Sequence, residues 1–90
     1  MRELIFKRQF SKDVERIKRT GRDMSRLAEA IDLLAEGKPM PPSNRDHALV
    51  GNFKDYRECH LGGDWLLLYQ ITGKTAVLVR TGSHADLLDL

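Results

Sequence analysis

The amino-acid sequence predicts a small α+β protein, β-α-α-β-β-β in element order, with a helical hairpin covering one face of a mostly antiparallel sheet. Two observations predict this class. Apolar residues recur every three or four positions in the first half, as on a helix face, and follow strand-like patterns in the second half. The 90 residues form one domain, 1–90. A chain of this size buries only about 60% of its surface, so we expect a thin core without a deep pocket.

The first half of the chain predicts one strand and two helices. Residues 3–6 are strand formers, too few for a helix, and this strand is expected to join an edge of the sheet. Ser11 is the expected N-cap of a first helix that ends near Thr20. Asp23 can cap the second helix, and Gly37 ends it. The apolar stripe of the second helix consists of Met24, Leu27, Ala28, Ile31, Leu34 and Ala35.

The second half predicts a three-stranded antiparallel meander. Residues 38–44 contain all three prolines and are expected to form an ordered loop. Turns at Gly62-Gly63 and at Gly73 separate the strands. The expected strands are residues 56–61, 65–71 and 75–81. Because each helix supplies a single apolar stripe, the helices should cover one sheet face and leave the other largely open.

Composition narrows the setting in which the protein acts. Residues 1–38 carry ten Lys and Arg against seven Asp and Glu, which fits either a solvated helix surface or one that faces phosphates. The single cysteine, Cys59, cannot form an internal disulfide. The sequence contains neither the roughly 18 apolar residues of a membrane span nor a signal-peptide run, so a cytoplasmic location without membrane contact is expected.

The alternation of side chains along the first meander strand assigns its residues to two faces. Tyr56, Glu58 and His60 share one face. Cys59 and Leu61 share the other, and their apolar character suits the side that the helices cover. His60 is therefore expected on the open face.

Further titratable residues are predicted near His60. Asp64 begins the central strand at the turn, His84 follows the last strand, and Arg80 can join them if the register allows. All of these can converge at one end of the open face. Each also has an ordinary structural interpretation, because a histidine can be a surface or core residue, Asp64 can shape a turn, and Arg80 can be a solvated charge.

These residue types suit proton transfer at a phosphodiester. Histidines titrate near neutral pH and an arginine supplies a fixed positive charge. In RNA cleavage the 2′-hydroxyl is the nucleophile, so the protein needs only a base, an acid and positive charge, without a metal or other cofactor. Zinc is the alternative, but His47, His60 and His84 lack the short spacings of zinc motifs, and Cys59 faces the helices. Phosphate-binding glycine loops are absent from the sequence.

Several motifs closely resemble the YafQ branch of the RelE/ParE toxin superfamily. They are FSKD at 10–13, RDHAL at 45–49, GNFKDYRECH at 51–60, DWLLLY at 64–69 and RTGSHADL at 80–87. The resemblance implies a RelE-like fold and a toxin of a bacterial type II toxin–antitoxin module. Members of this branch are ribosome-dependent mRNA interferases, so it also implies metal-independent cleavage of mRNA in the ribosomal A site.

The resemblance implies protein partners as well. A cognate antitoxin is expected to wrap the toxin and hold it silent, and the sequence does not decide whether the complex is a heterotetramer. Operator DNA is expected to bind only through that complex, with the toxin as corepressor.

The catalytic set carries over by resemblance, residue by residue. It comprises His47, His60, Asp64, Arg80 and His84. The resemblance implies that His84 is the general acid for the leaving 5′-oxygen, that Asp64 or His60 is the base for the 2′-hydroxyl, and that Arg80 clamps the phosphate. His47 then stabilises or positions the reacting groups.

Four positions qualify this carry-over. Ala48 replaces the proline that follows the first motif histidine, and Ser83 replaces the threonine before His84. Leu88 stands where the family often has phenylalanine, which argues against an aromatic that stacks on a base there. Trp65 is either a nucleotide contact or a core residue.

Two other function classes stay open at this point. The superfamily contains ParE-type inhibitors of DNA gyrase, which lack the catalytic histidines, so the presence of all three here argues against that class. A catalytically silent relative that serves only as an antitoxin-bound repressor subunit is harder to separate, since sequence does not show whether the groups meet.

Overall fold

The computed structural model describes residues 1–88 and shows a five-stranded sheet with two helices packed on one face. The strands are β1 (Glu3–Phe6), β2 (His47–Ala48), β3 (Arg57–Gly62), β4 (Trp65–Thr72) and β5 (Thr75–Gly82). The helices are α1 (Arg8–Lys18), α2 (Ser25–Glu36) and α3 (His84–Leu88), and single 3-10 turns cover Pro42–Asn44 and Gly51–Phe53. The predicted α+β class is confirmed. None of the helices in the described residues has the length and apolar character that crossing a membrane requires.

The strand order in the sheet is β1-β5-β4-β3-β2. β1 pairs with β5 in parallel, whereas the other neighbours are antiparallel. The predictions of a mostly antiparallel sheet and of a first strand at its edge are therefore confirmed. β2 and α3 were not predicted, because two and five residues are too few to show a period.

The predicted N-cap of α1 is wrong. The helix begins at Arg8, three residues before Ser11, and Lys7 is its N-cap without a side-chain cap hydrogen bond. The Lys7 amide still donates to the carbonyl of Leu78 in β5 at 3.0 Å, so pairing with the sheet decides where the helix starts. The amide of Ser11 donates to the carbonyl of Lys7 within the first turn at 3.1 Å.

The predicted ends of α2 are close to the observed ones. Asp23 accepts a hydrogen bond from the Ser25 amide at 2.9 Å, although Met24 is the N-cap. Gly37 ends the helix with a left-handed φ of 72°, which glycine adopts without steric cost. Its amide donates to the carbonyl of Leu34 at 3.2 Å.

The core lies between the two helices and the sheet. Its buried members are Phe10, Ile17, Leu27, Ala30, Leu34, Cys59, Leu61, Trp65, Leu67, Tyr69, Ala76 and Leu78. Cys59 faces the helices as predicted, and burial raises the pKa of its thiol to about 12. The indole N–H of Trp65 donates to the hydroxyl of Thr81 at 2.9 Å, so Trp65 is the core residue of the two alternatives.

The opposite face of the sheet is less open than predicted. A second, smaller apolar cluster of Leu66, Leu68 and Leu87 lies there, with Leu49 packed against it. Leu87 belongs to α3, which folds back over the face and covers part of it. The less covered part carries His47 in β2, which is exposed, and His60 in β3, which is half-buried.

The β3–β4 turn is displaced by one residue from its predicted place. Gly63 and Asp64 form the turn, whereas Gly62 ends β3 and pairs with Trp65 after a register shift beyond His60. This shift sets Asp64 at the tip of the hairpin.

A buried carboxylate joins α1 to β5. Asp13 is 1% exposed and accepts from Nε of Arg80 at 2.7 Å, from Nη2 of Arg80 at 3.1 Å and from the amide of Thr81 at 3.2 Å. Burial alone would raise the pKa of Asp13, but the hydrogen bonds from Arg80 and Thr81 hold it below its ordinary value. Asp13 is therefore ionised and paired in the folded protein.

We expect Asp13→Asn to lower the free energy of unfolding at pH 7 by about 3 kcal/mol, because Arg80 loses its paired charge. Urea denaturation measures the effect, with Asp32→Asn on the exposed side of α2 as the matched control, expected within about 0.5 kcal/mol of wild type. Since the folded pKa of Asp13 is lowered, its contribution is present above about pH 4 and is lost as the pH falls below that value. Equal losses in both variants would contradict this assignment.

Candidate active site

The three candidate histidines meet around one buried carboxylate, that of Glu58. Its side chain is 5% exposed. Its Oε1 atom lies 3.5 Å from Nε2 of His47, 3.5 Å from Nε2 of His60 and 3.9 Å from Nε2 of His84. Three imidazoles from separate parts of the chain therefore point the same ring nitrogen at one oxygen.

Strand pairing explains this convergence. His47 in β2 lies directly opposite Glu58 in β3, and His60 lies two residues further along the same face. His84 is the first residue of α3, which is separated from β5 by Ser83 alone. The ring centres of His47 and His60 are 6.0 Å apart, and those of His60 and His84 are 5.9 Å apart.

Asp64 fixes the orientation of His84. Its Oδ1 lies 2.5 Å from Nδ1 of His84 and 3.4 Å from the backbone amide of the same residue. These hydrogen bonds from His84 hold the pKa of the Asp64 carboxyl below its ordinary value, so the carboxylate is ionised at neutral pH. A carboxylate only accepts, so Nδ1 of His84 carries the proton and Nε2 is free to face Glu58.

His47 has the same orientation through a different partner. Its Nδ1 lies 2.8 Å from the backbone carbonyl oxygen of Arg45. Because a carbonyl oxygen only accepts, Nδ1 of His47 is the protonated nitrogen. In the neutral ring its Nε2 is then a hydrogen-bond acceptor, as in His84.

His60 is the least exposed of the three histidines, with 12% of its side chain accessible. Burial lowers the pKa of His60, and the positive charge of Arg45 lowers it further, while the carboxylate of Glu58 acts in the opposite direction. The neutral ring of His60 therefore predominates at neutral pH.

Arg80 was expected to lie near the histidines, but the structure does not place it there. Its guanidinium is held by Asp13 of α1, and among residues 1–88 no hydrogen bond or ion pair links it to the three imidazoles. The register between β4 and β5 shifts at this point, because Leu68 pairs with Arg80 and Tyr69 pairs with Leu78. Arg80 was expected near the histidines only if the register allowed it, and this bulge alters the register at Arg80.

Three of the side chains could also hold a metal ion. His47, Glu58 and His60 each offer one ligand atom, and these atoms lie within 4.8 Å of one another. Imidazole and carboxylate donors suit zinc or copper. The spacing argument against a metal does not hold in the folded protein, because strand pairing brings together histidines that are distant along the chain.

Glu58 and Arg45 were absent from the predicted set. The sequence did carry a signal for Glu58, since it precedes His60 by two residues on the same strand face. Arg45 gave no such signal, because its position depends on the loop before β2. The prediction for Leu88 concerns a side chain outside the described part of the structure.

Comparison with known proteins places the chain in a family. A family model for the bacterial toxin of type II toxin–antitoxin systems, YafQ, matches residues 2–89. The chain belongs to the YafQ toxin family. The mRNA interferase toxin YafQ of Escherichia coli K12 is 38% identical over 87 residues, covering 96% of this chain and 95% of the relative.

Solved structures of YafQ proteins and related toxins share this fold. A copper-bound mutant toxin from Helicobacter pylori superposes with a TM-score of 0.93 at 39% identity, covering 97% of this chain and 99% of that one. YafQ in the E. coli DinJ–YafQ complex gives a TM-score of 0.90 at 38% identity, covering 97% and 98%. These values confirm the RelE-like fold that the motifs implied.

We expect Glu58→Gln to lower the pKa of His60 further, because the variant removes the negative charge that favours its protonated ring. NMR titration of the His60 ring measures the shift. Glu15→Gln, on the exposed surface of α1, is the matched control and should leave His60 unchanged. An unchanged or raised pKa of His60 in Glu58→Gln would contradict the central place of this carboxylate.

Proposed function

We propose that this protein is an mRNA interferase, an endoribonuclease toxin of a type II toxin–antitoxin module that cleaves mRNA on the ribosome and so inhibits translation. The observation that carries the proposal is the convergence of three imidazoles on Glu58, in a chain 38% identical to the E. coli mRNA interferase toxin YafQ. The buried thiol of Cys59 is unsuited to nucleophilic catalysis, whereas imidazoles suit the acid and base steps of RNA cleavage.

His84 is the proposed general acid. Its ring is 47% exposed, so it can reach a bound phosphodiester. The Asp64 carboxylate stabilises the protonated ring, which then donates the Nε2 proton to the leaving 5′-oxygen. Asp64 thereby acts on His84 and leaves the base role to another group.

His47 is the proposed general base for the 2′-hydroxyl. Its Nδ1–H is engaged by a backbone carbonyl, so the neutral ring offers Nε2 as an acceptor, and the ring is 49% exposed. His60 is less suited to this role, because its Nδ1 is occupied by Arg45 and its ring is mostly buried. This geometry favours His47 over Asp64 and His60, the two bases that the family resemblance suggested.

Arg80 remains the proposed phosphate clamp. Asp13 takes two of the five N–H donors of its guanidinium and orients the planar group. The side chain is 27% exposed, so the remaining donors can meet a phosphate that lies along β5. Positive charge there would stabilise the dianionic phosphorane.

The shallow site suggests that a larger partner must hold the substrate. The side chains of His47 and His84 are 49% and 47% exposed, so we propose that the ribosomal A site positions the mRNA against them. We therefore propose that the protein acts in the cytoplasm, where the ribosomes are. The E. coli relative is found in a complex with DinJ, and we propose that a cognate antitoxin likewise binds this chain and that operator DNA is bound through that complex.

We expect His84→Ala to slow cleavage of mRNA on programmed ribosomes by about 100- to 10,000-fold, because the leaving group loses its proton donor. The assay contains 1,10-phenanthroline, which removes transition metals and leaves the Mg²⁺ that ribosomes need. Lys74→Ala, in the turn between β4 and β5, is the control and should cleave like wild type. Wild type that leaves the mRNA intact would contradict the proposal, and inhibition of gyrase supercoiling by that protein would favour the ParE-like class.

The copper-bound relative favours a second property for the same residues. We propose that His47, Glu58 and His60 would hold a transition-metal ion, whose chemistry there is that of a Lewis acid. Such binding would occupy the Nε2 lone pair of His47, which the proposed base step needs.

We therefore expect Cu²⁺ or Zn²⁺ to inhibit cleavage and a chelator to restore it. Additional Mg²⁺, which prefers oxygen ligands, is the control and should not inhibit. Isothermal calorimetry on the free protein measures binding separately from activity. Tight Zn²⁺ binding that leaves cleavage unchanged would contradict the overlap of the two sites.

A further inference from the structure

Arg45 has an unusual backbone conformation next to the site. Among residues 1–88 it is the one non-glycine residue with a positive φ, 45°. Arginine adopts this left-handed conformation at a steric cost, and such strain persists only where surrounding contacts impose it. The residue lies between the Pro42–Asn44 turn and β2, on the loop that leads into His47.

The strained residue contacts two of the three histidines. Its carbonyl oxygen accepts from Nδ1 of His47 at 2.8 Å, and its Nη2 lies 3.1 Å from Nδ1 of His60. The preceding side chain, Asn44, donates from Nδ2 to the backbone carbonyl of His60 at 2.8 Å and so ties the loop to β3. One loop therefore controls the orientation of both rings.

The two contacts have opposite chemical consequences. A guanidinium has five donors and no acceptor, so Nδ1 of His60 must be the unprotonated nitrogen, and its proton lies on Nε2. A carbonyl oxygen only accepts, so His47 has the reverse arrangement. Neutral His60 thus presents an N–H toward Glu58, whereas neutral His47 presents a lone pair.

We propose that Arg45 is a positioning residue that fixes His60 as the Nε2–H tautomer and so makes it a hydrogen-bond donor to the reacting phosphate. In this role His60 stabilises the charge that develops on a non-bridging oxygen of the phosphate. His47 accepts the proton of the 2′-hydroxyl, and His84 donates a proton to the leaving 5′-oxygen. The functional half of this inference rests on the proposed RNA cleavage, whereas the tautomer can be measured on the protein alone.

Arg45→Gly is the most selective variant. Glycine adopts the left-handed backbone readily, so the carbonyl contact to His47 is retained while the guanidinium is removed. Arg45→Gln is the second variant, in case the glycine alters the loop. Arg26→Gln is the matched control, because Arg26 lines the same cavity beside His60 and makes no described hydrogen bond to it.

Long-range ¹H–¹⁵N NMR at pH 8 reads the tautomer directly. We expect wild type and Arg26→Gln to show His60 with a protonated Nε2 and an unprotonated Nδ1. In Arg45→Gly and Arg45→Gln we expect His60 to become a mixture of tautomers, with His47 unchanged in the glycine variant. A His60 spectrum that is the same in all four proteins would overturn the assignment.

Cleavage on programmed ribosomes tests the functional half. We expect the two Arg45 variants to lose at least about tenfold in kcat with KM within about threefold, as for a group that acts mainly in the transition state. A change of tautomer with wild-type kcat would overturn the positioning role. If wild type itself does not cleave, the proposed function fails, and the NMR result still decides the tautomer.

Discussion

The buried carboxylate of Glu58 is the constraint on which the site depends. The Glu58 side chain is 5% exposed and so has little contact with water, and the nearest ring nitrogens are three imidazole Nε2 atoms within 3.9 Å of its Oε1. Three imidazoles at such short range would repel one another if all were protonated. The Glu58 carboxylate between them favours the protonated form of the His60 ring and so raises its pKa, against the effects of burial and Arg45.

The two faces of the sheet have different roles: one packs against the core, and the other carries the histidines. On one side α1 and α2 bury the apolar core. On the other side α3 covers only part of the sheet and delivers His84 to the uncovered remainder. The same β3 strand therefore buries Cys59 toward the helices and turns Glu58 toward the imidazoles.

Much of this arrangement follows from the sequence because it depends on local periods. The alternation along β3 predicts which residues face the helices, and Gly37 predicts the end of α2. Features set by tertiary pairing do not follow. The start of α1 depends on a hydrogen bond between Lys7 and β5, and the hydrogen bond from Arg80 to Asp13 joins residues 67 positions apart in the chain.

In the site, too, local sequence patterns predict some features and tertiary pairing determines the others. Histidines at strand ends could be predicted as candidates, but only the pairing of β2 with β3 shows that Glu58 lies among them.

Cryo-electron microscopy of the ribosome with a 2′-O-methyl A-site codon and this protein tests the arrangement most directly. The account predicts the scissile phosphate within hydrogen-bonding reach of Nε2 of His47, His60 and His84. A phosphate bound elsewhere, with the three imidazoles facing solvent, would contradict it.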